Sequence, residues 1–292
     1  MTVERREITV DDLDAAIASH EAEGYRLLTI SPADDPRRAD MDGPGAIRLV
    51  RRADAPPATG RAGMIYRDLI PDRLGGSVIA SHITIPVGGP VPDYVHHHDI
   101  TFQMIFCHAG WVRVVYEDQG PPFVMEAGDC VLQPPGIRHR VLASGDGLEV
   151  VEVGSPAEHD THRDHELELP TPDLVADRDF GGQRFVRHVH SDTRWRAAPD
   201  EGWEVQEFGL AEATGGIADA RLARTAGQGG PLGLGPEPTF VFVRRGAVTV
   251  NGPITTTGFA EGDSIMLAEP RSHRIWSDSE VELLVVDLPS IT

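Results

Sequence analysis

The sequence predicts an all-β protein: two tandem β-units behind a short N-terminal helix. Two observations carry this. From about Met64 onward, apolar segments of four to eight residues alternate with Gly, Pro and Asp turns. The same layout then returns at an offset of about 134 to 141 residues. Composition agrees, because 31 Gly and 23 Pro with only 6% aromatics favour many turns over long helices.

Residues 11–23 read as the helix. Asp11 or Asp12 can cap it, Leu13, Ala16 and Ile17 give one apolar stripe, and Gly24 suits its end. Residues 31–62 are rich in Pro, Asp, Arg and Gly around one apolar stretch, Ile47–Val50, and predict an extended arm. The strand-like segments that follow include 77–85, 101–106, 111–117, 130–133, 139–143 and 148–153. Their regular spacing points to a sandwich or barrel.

The repeat is visible in five ordered matches. Arg48-Leu49-Val50-Arg51 is echoed by Arg184-Phe185-Val186-Arg187, and Gly88-Gly89-Pro90 by Gly229-Gly230-Pro231. Gly110 before WVRVVYE is echoed by Gly246 before AVTVNG. Gly128-Asp129 returns as Gly262-Asp263, each followed at equal spacing by a histidine, His139 or His273. The predicted organisation is therefore an N-terminal helix and arm (1–62), a first barrel (63–155), a polar connector (156–183) and a second barrel (184–292).

The net charge of −20 and pI near 4.9 argue against nucleic acid and anionic lipid as partners. No apolar run approaches the roughly 18 residues of a membrane span. Residues 1–10 lack the features of a signal peptide, so a cytoplasmic location is expected. Cys107 and Cys130 lie inside apolar runs and read as reduced, buried thiols.

The chemistry lies in the first unit. Gly89 is followed after six residues by His96-x-His98, after four by Gln103 and after six by Gly110. Gly128 is then followed after five residues by Pro134-x-Gly136 and after two by His139. Alternate side chains of a strand share a face, so His96 and His98 can point into one barrel. This two-part pattern resembles that of the cupin superfamily, in which Gly, His-x-His, Glu and Gly precede Gly, Pro-x-Gly, His and Asn. The resemblance is close over about residues 64–155, and the two-unit layout resembles the bicupins. It implies tandem double-stranded β-helix (jelly-roll) barrels with one divalent transition metal per chain, held by His96, His98, Gln103 and His139. Iron is the expected ion, with Zn, Mn, Ni or Cu as alternatives that suit three imidazoles and an oxygen.

Two departures matter. Gln103 stands in place of Glu, and Ala143 in place of the final Asn. With neutral ligands only, the ion keeps its full charge and favours an anionic substrate. The resemblance implies a dioxygenase acting with O2 on a small enolisable or phenolic compound bound as an anion, with Gln103 as a weak, displaceable ligand of catalytic consequence. A non-redox Zn or Ni cyclase, isomerase or lyase is the second enzymatic reading, and a small-molecule-binding cupin without turnover is the third. The family also allows a homodimer.

Tyr94, Phe102, Met104, Trp111, Arg113 and His82 are candidates for the cavity wall. His97, Arg138 and Arg140 are expected to point away from the site. His108 reads as a core or rim residue, and the His159, His162, His165 group as a solvated loop. In the second unit the His-x-His position reads Pro231-Leu-Gly-Leu-Gly-Pro-Glu-Pro238. Leu232, Leu234 and Thr239 replace the ligands there and leave only His273, so no metal is expected in that barrel.

Overall fold

The computed structural model describes the chain except residues 1–4, 9–12, 23–25, 32–37, 43–46, 61–62, 72, 236–237, 253–255, 268–272 and 289–292. It shows two antiparallel β-barrels. The first pairs a seven-stranded sheet with a six-stranded one, and the second pairs a seven-stranded sheet with a four-stranded one. The helix spans Leu13–Ala22 and buries Ile17, while its expected caps, Asp11, Asp12 and Gly24, lie outside the described residues. Beside it the strands Arg5–Ile8, Arg38–Asp42 and Arg26–Ser31 form a three-stranded sheet, so part of the expected arm is regular structure. Among the described residues, no helix is long and apolar enough to cross a membrane.

The two large sheets pack face to face, and their alternation explains the sequence of each strand. Phe102–Ala109 is central to the first. Its Phe102, Met104 and Phe106 join Phe208, Phe240, Phe242 and Leu284 of the second barrel in one apolar cluster, and its Gln103 and Ile105 face the first barrel's interior. Both faces are covered, which is why the strand reads as a continuous apolar run. Phe106 and Phe208 stack at 6.0 Å between ring centroids. Trp111–Tyr116 belongs to the smaller sheet and has one wet face: Trp111 and Arg113 are exposed, Val112 and Val114 buried.

The barrels exchange edge strands, which corrects the expected boundaries. Ile47–Val50 pairs with Ser264–Leu267 of the second barrel. Val186–His188 pairs with Cys130–Leu132 of the first. These are the two segments of the Arg-x-Val-Arg repeat. The repeated Gly-Asp anchors them. Asp129 accepts the backbone N–H of Glu126 at 3.0 Å and of His190 at 2.8 Å. Asp263 likewise accepts those of Ala260 and Arg52, both at 2.9 Å, and the Arg51 guanidinium at 2.8 Å. Gly128 holds φ +100°, and a Cβ there would meet the His190 ring at 2.6 Å. The connector is also part of the first barrel, since Thr161–Arg163 pairs with His96–His98.

Candidate metal centre

Three imidazoles converge inside the first barrel. His96–His98 lies between His139–Ser144 and Thr161–Arg163, with His139 directly opposite His96 and Thr161 opposite His98. The His96 and His139 rings are 4.3 Å apart, and His98 lies 5.2 and 5.3 Å from them. One ring nitrogen of each lies within 4.8 Å of the other two.

Hydrogen bonds decide which nitrogen faces inward. His96 Nδ1 meets the Tyr94 carbonyl at 2.8 Å, and His139 Nδ1 meets the Ile137 carbonyl at 3.0 Å. A carbonyl only accepts, so Nδ1 carries the proton in both and Nε2 offers its lone pair to the centre. His98 Nδ1 makes the corresponding contact with Thr161 Oγ1 at 2.8 Å. Such outer partners fix tautomer and ring orientation in metal sites. The turn at Pro134–Gly136 that delivers His139 needs Gly136, whose φ is +72°.

Gln103 arrives from the opposite sheet and is 2% exposed. Its Nε2 donates to Glu152 Oε1 at 2.5 Å. A carboxylate is therefore present beside the site, although the family's glutamate position is occupied by an amide. The donor set fits a divalent transition metal: three orientable imidazoles and one amide oxygen.

The four residues line a cavity of about 400 Å³ with Tyr94, Tyr116, Gln133, Glu152, His159 and Thr161. The rest of the wall is mostly aliphatic, including Ile79, Ile83, Ile85, Ile105, Val112, Val114, Leu148 and Val150. Arg140 also borders it and is the only Arg or Lys to do so among the described residues, although it was expected to point away. Burial pushes the Tyr116 hydroxyl well above its usual range, with Cys130 and Glu152 adding to the effect, so it stays a neutral group.

Of the candidate wall residues, Tyr94 lines the cavity, and the others do not. Phe102 and Met104 flank Gln103 and by alternation point into the interface between barrels. Trp111 and Arg113 flank Val112 and face outward. His82 lies on the outer face of its strand, where its ring stacks on Phe242 at 6.0 Å. Its Nε2 contacts Glu149 Oε2 at 2.9 Å, and His108 Nε2 lies 3.9 Å from the same atom. Burial pushes His108 down to about 4, against the pull of Glu149, so its ring is neutral. The equivalent place in the second barrel holds the ion pair Arg244–Glu282. This cluster therefore reads as an inter-barrel polar contact.

Sequence reasoning missed Glu152, Thr161 and His159. Glu152 had a signal, because Leu148, Val150 and Glu152 alternate on one face and a charge on an apolar face is informative. His159, taken for a solvated loop residue, packs edge-on against His98 at 5.4 Å. His97 does face away, stacked on His162 at 5.1 Å. Both cysteines are buried free thiols, and burial raises Cys107 to about 12.

The second barrel's interior is filled by Trp203, Leu232, Val241, Val243, Val250, Phe259, Ile265 and Ile275. His273 is fully buried there.

Residues 81–154 match the family model of the cupin domain. No curated protein gives a significant match. Among solved structures, an oxalate decarboxylase–formate complex from Lactobacillus farciminis is similar at TM-score 0.60 and 16% identity, over 84% of this chain and 87% of that one. An oxalate decarboxylase from Bacillus subtilis matches at TM-score 0.60 and 14% identity, over 84% of this chain and 77% of that one. A putative glyoxylate-induced protein from Pseudomonas aeruginosa matches at TM-score 0.60 and 12% identity, over 82% of this chain and 88% of that one. Residues 81–154 are thus a cupin domain, and the chain as a whole shares the two-barrel, bicupin fold of these structures.

Proposed function

We propose that this bicupin is a metal-dependent enzyme acting on a small, largely apolar molecule with one anionic head, and that its reaction is a dioxygenation. The observation that carries the reading is the joining of two environments. Three imidazoles with their Nε2 atoms turned inward sit in an otherwise largely aliphatic cavity of about 400 Å³. That volume is in the range of small-molecule pockets. When bound, a divalent transition metal supplies Lewis acidity and, where redox-active, reactivity toward O2. His96, His98 and His139 would hold it, with Gln103 as a fourth, neutral donor.

The chain's own residues then divide the remaining work. The aliphatic wall binds the substrate's body and excludes water, which strengthens every charge interaction inside. Tyr116 remains a neutral hydroxyl, and Gln133 and Tyr94 add polar contacts beside the ligands.

Oxalate, the substrate named for two similar structures, suits this cavity poorly. Its two carbons would leave the aliphatic wall uncovered, and its second carboxylate would share the cavity with the Glu152 carboxylate. An enolate or phenolate carrying a hydrocarbon body matches both ends.

The test has two steps. Elemental analysis of the purified chain is expected to give about one iron, copper, manganese or nickel per chain, lost in His96→Ala/His98→Ala. The protein is then incubated with β-diketones and catechols, with and without O2. O2-dependent products support the proposal. Identical products in both atmospheres move the assignment to isomerase, cyclase or lyase chemistry, and tight binding without product identifies a binding protein.

A further inference from the structure

The pair formed by Gln103 and Glu152 separates two jobs that one glutamate performs elsewhere in this fold. We infer that Glu152 is a positioning residue for the metal: it fixes the Gln103 amide so that its oxygen serves as the ligand, and it supplies from one strand away the negative charge that the ligand lacks. This rests on the metal reading of the preceding section.

The geometry is specific. Gln103 lies on Phe102–Ala109 and Glu152 on Leu148–Ser155, neighbouring antiparallel strands with Gln103 opposite Gly154 and Ile105 opposite Glu152. The two side chains meet diagonally on the cavity face, with Nε2 donating to Oε1 at 2.5 Å. A carboxylate accepts and does not donate, so the amide turns its NH2 group toward Glu152. With the amide reversed, Gln103 would present N–H donors to a cation, and two oxygen acceptors would face each other. A charge-assisted hydrogen bond to the NH2 group also makes the amide oxygen a stronger donor, as outer-shell carboxylates do for histidine ligands.

The second barrel provides an internal comparison. Its strands pair Val241 with Val285 in the register that pairs Ile105 with Glu152. There the place of Gln103 is taken by Thr239 and that of Glu152 by Val285, in the same barrel whose His-x-His position holds Leu232 and Leu234. The amide and the paired histidines are present together in one barrel and absent together from the other, where the Thr239 hydroxyl donates instead to Asp287, directly opposite it and paired with Arg221.

The experiment measures Co²⁺ binding by competition with a chelator, together with the visible spectrum of the bound ion, on the full chain. Glu152→Gln is expected to weaken binding about 10- to 100-fold and to change the spectrum. The exchanged pair, Gln103→Glu with Glu152→Gln, restores a carboxylate as ligand and is expected to recover affinity to within a few-fold. Thermal melting confirms that each variant is folded. Glu152→Gln with the affinity and spectrum of the wild type overturns the inference alone. An exchanged pair no better than Glu152→Gln also overturns it, because Glu152 would then act through the fold and not through Gln103. A wild-type chain that binds no Co²⁺ overturns the metal reading itself.

Discussion

At the scale of residues, the site depends on which atom each candidate ligand presents. Thr161 illustrates this, since from a neighbouring strand it holds His98 by Nδ1 at 2.8 Å. Thr161→Val keeps the shape and removes the acceptor. It is expected to weaken metal binding by about 10- to 100-fold, measured by chelator competition, without lowering the melting temperature appreciably. The sequence exposed His96, His98, Gln103 and His139 through their spacing, because spacing along adjoining strands is a local property. Thr161 lies beyond a connector, and only the folded register brings it to His98. Phe102, Met104, Trp111 and Arg113 were misplaced for a simpler reason. They sit beside inward residues, and a strand's period of two sends neighbours to the opposite face. Applied strictly, the alternation that puts Gln103 inside excludes Phe102 and Met104.

At the scale of elements, the repeated Gly-Asp turns anchor the exchanged strands. Burial opposes ionisation of Asp263, but the Ala260 and Arg52 N–H groups and the Arg51 guanidinium outweigh it and hold the carboxyl below the usual range. A carboxyl whose folded pKa is depressed stabilises the fold fully above its unfolded pKa. That stability is lost as pH falls through the lower, folded pKa, below about pH 4. Asp263→Asn is expected to cost about 2 kcal/mol at pH 7 and to flatten this acid limb, as measured by denaturant titration at several pH values. The motif was legible as a repeat. Its purpose was not, because nothing local says that Ile47–Val50 pairs with the distant second barrel.

At the scale of the whole molecule, the two barrels are expected to unfold as one cooperative unit. A single apolar cluster spans both, and each barrel's sheet is completed by a strand from beyond its expected boundary. Phe106→Ala is expected to destabilise the chain by about 3 to 5 kcal/mol. Because the lost contacts include Phe208 on the other barrel, one unfolding transition should shift as a whole, not one of two. A fragment ending at residue 183 lacks Val186–His188 and exposes Phe102, Met104 and Phe106. It is expected to aggregate or to stay unfolded, as read by size-exclusion chromatography and far-UV circular dichroism. Recovery of a soluble, metal-binding fragment would show that the barrels are independent.

The sequence by itself determined the all-β class, the twofold repeat, the four candidate ligands and the degenerate second copy. Each of these is written in short-range spacing or in a period that one strand can express. The tertiary structure alone decided which strands change barrels, which face of each strand meets the cavity, and that Glu152, His159 and Thr161 line it with the candidate ligands. Those facts depend on register and sheet order between segments far apart in the chain. Pairing across a sheet is set by the burial of whole faces, and no single segment carries that information.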